Sequence, residues 1–222
     1  MNHHARHITF SDQEVEAMLQ AAPSVWWDAF IRLSVASGLR VQEILRLYDS
    51  DIDPSTISVR VTAVPIDYEH EDHPLDLRRP LPVHRERVVP VDENTMYALV
   101  HLLDECPPDS HVFVPSWKLN QLWFRLHDGD PLSTDHLCPN LAAGFRMVQR
   151  RAMLNLARNR QIALAKVRWP MRPVSSLRLT AIKRLSAQLS PRKLAERLGM
   201  ASTTPILSFY DQQATPQAEG VQ

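Results

Sequence analysis

Glycine occurs only 5 times in 222 residues, while proline occurs 17 times. A chain so poor in residues that tolerate positive φ has almost no material for the glycine-rich phosphate loops of dinucleotide-binding and P-loop folds. Those enzyme classes are excluded, and helical periodicity carries most of what remains. Ser11-Asp12-Gln13-Glu14 has capping-box spacing, and Val15, Met18 and Leu19 follow on one face, so a helix starts near residue 12. Trp26, Phe30 and Leu33 mark a helix over 24–36 that Gly38 closes before another over about 41–48. Further helices are expected around Met96–Leu103, over about 140–159, around Leu177–Leu185, and from Pro191 to Leu198 before Gly199.

Ile57, Val59, Val61 and Ala63 alternate with polar residues as in a strand with one wet face, and residues 87–91 supply a partner strand. The acidic, histidine- and proline-rich stretch from Pro65 to Pro82 reads as a long hairpin loop. The expected class is therefore α+β, mainly α, with a small antiparallel sheet inserted after the early helices. A polar arm (1–8), one domain (9–210) and a mobile polar tail (211–222) make up the chain. There is no run of 18 apolar residues and no signal peptide, and Cys106 and Cys138 make neither a disulfide framework nor a zinc set, so the expectation is a cytoplasmic protein without a membrane segment.

The zero net charge conceals a partition. Residues 1–140 carry 11 Lys+Arg against 22 Asp+Glu, whereas residues 141–200 carry 14 against Glu196 alone. Like charges at that density are compensated either by the acidic half of the chain or by an external polyanion, for which nucleic acid is the natural candidate. The residues that would meet its phosphates are Arg146, Arg150, Arg151, Arg158, Arg160, Lys166, Arg168, Arg172, Lys183 and Arg184.

Three segments carry a resemblance. Ala36-Ser37-Gly38-Leu39-Arg40-Val41-Gln42-Glu43-Ile44-Leu45-Arg46-Leu47 with Asp51-Ile52-Asp53, then His84-Arg85-Glu86-Arg87-Val88-Val89-Pro90-Val91, then Ser175-Ser176-Leu177-Arg178-Leu179-Thr180 with Leu198-Gly199-Met200 and Tyr210, fall in one order across nearly the whole chain. In that order they resemble the catalytic domain of the tyrosine recombinase (phage integrase) family. The resemblance implies a helical domain with its sheet after the first-arginine helix. It also implies breakage and rejoining of duplex DNA through a 3′-phosphotyrosyl link, for integration, excision or resolution of a mobile element. Arg40 and Arg178 would clamp the phosphate, because guanidinium forks bind phosphate oxygens without losing charge. Tyr210 would be the nucleophile, and Glu43 a helix-stabilising or arginine-orienting residue rather than a catalyst. Neither ATP nor a metal is implied, since the phosphotyrosyl bond stores the energy for rejoining. Homo-oligomers on DNA and an accessory recombination protein are the implied partners.

Three departures bear on activity. Ser175 stands where the family has histidine, Met200 where it has histidine or tryptophan, and the place of the family's sheet lysine falls near Pro82. Serine donates a hydrogen bond but shuttles no proton near neutral pH, and methionine donates nothing. His84, or His70 and His73 of the long loop, are the candidates to replace the missing acid. A relative that binds DNA without cutting it is the first alternative. A helix-turn-helix regulator built on residues 189–204 is the second, although Pro205 and the apolar residues after it are poor base readers. A metal site on Glu69, His70, Glu71, Asp72 and His73 lacks helical ligand spacing and is not expected. Among the tryptophans, Trp169 in the basic segment is the candidate for stacking on a base.

Overall fold

The structure, a computed structural model, describes residues 9–62, 86–106, 108–113, 141–167 and 169–214. The arm, the long loop with His70, His73 and His84, and Arg168 lie outside the described residues. Helix α1 (Asp12–Gln20) opens on the expected capping box, in which the Ser11 amide donates to Glu14 Oε2 at 2.7 Å and the Glu14 amide to Ser11 Oγ at 3.3 Å. Helix α2 (Val25–Ser37) has no exposed residue and ends at Gly38, whose φ of 69° places it in the left-handed region. The chain turns there directly into the short α3 (Val41–Leu45).

Strands β1 (Ile52–Asp53), β2 (Ser58–Val61) and β3 (Arg87–Pro90) form an antiparallel sheet in sequence order, with Ile52 opposite Val59 and Val61 opposite Arg87. The sequence reading found β2 and β3 but not β1, because two residues are too short for alternation to register. Helices α4 (Glu93–Leu103), α5 (Leu141–Asn159), α6 (Ser175–Ser186), α7 (Pro191–Arg197) and α8 (Thr204–Ala214) complete the described α-helices. Helix α8 continues past Tyr210 to Ala214, so the first residues assigned to the tail are helical.

The main core surrounds α2. Trp26 stacks on Phe30 at 5.1 Å, Phe113 meets both edge-on, and Phe145 of α5 packs against Trp27 and Phe10. Such aromatic pairs add to the apolar area they remove from water. Trp169 is buried in this core rather than presented to a ligand. A smaller core lies between α6, α7 and α8, built from Ile182, Leu185, Leu194, Ala195, Leu198 and Ile206, with Met200, Phe209 and Tyr210 packed against it. Helix α6 belongs to both, since Leu177 lies in the first core and Leu185 in the second.

Candidate nucleic-acid interface

The two resemblance segments most distant in sequence meet in space. Gly38 ends α2 against the turn after α7, where an added Cβ would fall 2.7 Å from Leu198 Cδ2, so the close approach requires glycine as much as the φ does. Across this junction Arg178 Nη1 donates to the Gly38 carbonyl at 2.7 Å. Arg178 is in the first turn of α6, and Arg40 precedes α3; the fold thus brings together the two arginines assigned to the phosphate clamp.

Glu43 organises them. It is 3% exposed, its Oε2 accepts from the Arg40 amide at 2.7 Å and lies 3.8 Å from Arg178 Nη1, and its Oε1 accepts from Arg87 Nη2 at 2.9 Å. Arg87 was read in the sequence only as part of a strand. Its position was nonetheless legible, because residues two apart on a strand share a face and Val89 is fully buried. Val88, pointing the other way, is exposed.

The guanidiniums of Arg40, Arg87 and Arg178 all lie in the field of the Glu43 carboxylate, close enough for Arg40 and Arg87 to press on Arg178 and for Arg87 to press on Arg40. Burial pushes the Arg178 guanidinium down to about 10, Arg40 and Arg87 press the same way, and Glu43 opposes them. Burial also lowers Arg40, with Glu43 again opposing and Arg87 adding to the lowering. Both remain charged at neutral pH. Cations held this way bind an arriving anion strongly, since the cost of removing them from water has already been met in folding.

The other assigned residues are placed differently. Ser175 is exposed at the first position of α6, and Met200 packs on the smaller core. The Tyr210 hydroxyl donates to the Leu189 carbonyl at 2.6 Å and its ring lies against that same core, so this hydrogen bond is made away from the arginines. Desolvation pushes its phenol upward, favouring the protonated form.

The basic segment divides in two. Arg146, Arg150, Arg151 and Arg158 on α5, together with Arg160, Lys166 and Lys183, are exposed. Arg172 is turned inward instead: its Nη1 donates to Glu14 at 2.9 Å, its guanidinium covers the Phe10 ring at 4.7 Å, and its backbone is held on both sides by the buried Gln149. It holds α1 to α5 and does not belong to the basic surface. Arg184 pairs with Asp12 at the surface. Around α8, the exposed residues Thr204, Pro205, Leu207, Ser208 and Asp211 include no cation that could meet a phosphate.

No protein family profile and no curated protein matches this sequence. Solved structures do. The XerA recombinase aligns with a TM-score of 0.61 at 17% identity, over 94% of this chain and 64% of that one. The Tn1549 transposon integrase (residues 82–397), solved in complex with circular intermediate DNA, gives 0.55 at 17% identity over 90% of this chain and 61% of that one. A lambda integrase tetramer bound to a Holliday junction gives 0.54 at 13% identity, over 96% and 50%. The chain thus spans between 50% and 64% of the length of these structures. At such identities the likeness establishes the fold, a mainly helical domain with a three-stranded antiparallel sheet, as that of the tyrosine recombinase catalytic domain.

Proposed function

We propose that this protein binds duplex DNA, seats one backbone phosphate between Arg40 and Arg178, and breaks and rejoins strands there through Tyr210. The observation that carries the reading is the partly buried cluster in which three guanidiniums share Glu43. A phosphodiester is an anion that such a cluster of guanidiniums attracts, and more negative charge develops on its non-bridging oxygens as a nucleophile attacks. The exposed arginines of α5 supply sequence-independent contacts to neighbouring phosphates. The DNA complexes in which the Tn1549 and lambda integrases were solved support the same substrate class.

In the chemical step the Tyr210 oxygen attacks phosphorus and gives up its proton, the 5′ oxygen leaves and gains one, and a 3′-phosphotyrosyl bond remains. Attack by a 5′ hydroxyl reverses it. Tyr210 must first leave the Leu189 carbonyl, and neither Ser175 nor Met200 supplies the acid that the leaving oxygen needs. The same hydrogen bond favours a second reading, a DNA-binding relative in which Tyr210 is structural and no strand is cut.

Covalent trapping separates the two. Wild-type protein and Tyr210→Phe are incubated with supercoiled plasmid carrying the DNA that flanks the coding sequence, then stopped with detergent. A protein–DNA adduct or relaxed plasmid in the wild type alone supports strand transfer. Equal retardation of the plasmid with no adduct in either supports the binding reading.

A further inference from the structure

Two arginines clasp the sheet to the end of α7 in opposite directions. Arg87, the first residue of β3, donates from Nε to the Arg197 carbonyl at 2.8 Å while its Nη2 holds Glu43 at 2.9 Å. Arg197 returns the contact, its Nη2 donating to the Pro90 carbonyl at 2.7 Å and to the Ala36 carbonyl at 3.1 Å. Gly199 closes over the Arg87 guanidinium so tightly that a Cβ there would fall 2.6 Å from Nη1. The turn that leads into α8 and Tyr210 is therefore seated on a side chain that also touches the carboxylate shared with Arg40 and Arg178.

We propose that Arg87 is a positioning residue that couples occupancy of the Arg40–Arg178 phosphate site to the seating of the turn between α7 and α8. The inference rests on the phosphate-binding reading above. With the site empty, Glu43 divides its charge: Oε1 serves Arg87, while Oε2 serves the Arg40 amide and, at 3.8 Å, Arg178. Arg40 and Arg178 meanwhile repel Arg87. A phosphate that pairs with those two cations removes the repulsion and leaves more of the Glu43 field to Arg87. The Arg87–Glu43 pair tightens, and with it the bond from Nε to the Arg197 carbonyl. Arg87 itself is only 9% exposed at its side chain, so it acts through Glu43 and the turn rather than by touching DNA.

The test is hydrogen exchange in the segment 198–206, read on the full chain with and without a saturating short duplex. The amides of Leu198, Gly199 and Met200 are bonded to Leu194, Glu196 and Ala195, so their protection reports how firmly the turn is seated. In the wild type, duplex should slow exchange there roughly fivefold or more, the lower end of ordinary couplings between sites. Arg87→Gln should abolish this response while the amides of Phe30 and Ile31 in α2 stay as protected as before. By linkage its duplex affinity should fall by the same factor. Should Arg87→Gln fail to fold, Arg87→Lys keeps the charge but cannot reach Glu43 and the Arg197 carbonyl together, and it should lose the response too.

A response of equal size in the wild type and in either Arg87 variant would overturn the coupling. So would a wild type that binds duplex with no change at 198–206, a result that leaves the phosphate reading intact. Duplex that fails to bind even the wild type at low salt overturns both, and fluorescence anisotropy of the labelled duplex identifies that case.

Discussion

Replacing Glu43 by glutamine tests the arginine cluster at its centre. The change keeps the shape of the side chain and lets an amide oxygen still accept from the Arg40 backbone, but it removes a carboxylate that acts on both Arg40 and Arg178. The Arg87–Glu43 pair is nearly dry, with side chains 9% and 1% exposed, and breaking such a pair from one side costs about 3–5 kcal/mol. Against a typical domain stability of about 5–15 kcal/mol, that is a fifth or more of the whole. The cluster would gain one net positive charge, so a bound anion should recover more stability in the variant than in the wild type. Urea unfolding at pH 7 measures the loss, first in chloride and then in sulfate at matched ionic strength. A loss below about 1 kcal/mol, the range of solvent-exposed pairs, would show that the cluster is solvated and refute the reasoning. An identical response of both proteins to sulfate would do the same.

Other expectations follow from individual contacts. Arg150→Ala and Arg151→Ala should each reduce the salt dependence of duplex binding by about one unit of slope with little change in stability, whereas Arg172→Ala should destabilise the fold and leave the slope unchanged; anisotropy titrations beside urea melts distinguish them. His111, its ring tilted against that of Tyr48 with centroids 4.1 Å apart, is held below its ordinary value by burial. Because the folded state resists the proton that the unfolded chain accepts, stability should be full above about pH 6.5 and decline as the pH falls below it, levelling once the folded form is protonated as well. His111→Gln should flatten that decline in unfolding curves measured from pH 7 to 5. Tyr210→Phe should cost about 1 kcal/mol through the lost bond to the Leu189 carbonyl, and a wild-type phenol that titrated below that of free tyrosine would show the ring to be placed elsewhere.

How far the sequence revealed this molecule depended on whether the signal was local. Arg40 and Glu43 lie three residues apart at a helix start, and Arg178 sits in an apolar-periodic helix, so their placement follows from patterns within a dozen residues. The role of Arg87 does not, since its partners are 44 and 110 residues away. Strand alternation showed which face it occupied but not what waited there. Arg172 counted towards the basic load because charge totals are blind to direction, and the stretch around it has no helical or strand period to supply one. Tyr210 illustrates a third limit. On a helix one residue of spacing rotates a side chain by about 100°, so the face that Tyr210 occupies depends on where its helix begins and packs, which its position in the sequence does not fix. In this structure that face is the small core beside Leu189.

The central claim is that Arg40 and Arg178 form a phosphate site on DNA. Its most direct test is duplex affinity measured by anisotropy over a range of salt concentrations, for the wild type and for a variant carrying Arg40→Gln and Arg178→Gln. The expected result is a steep fall of wild-type affinity with salt and a variant that binds more weakly, with the slope reduced by about two. Affinity and slope equal to those of the wild type, in a variant shown to be folded, would contradict the claim.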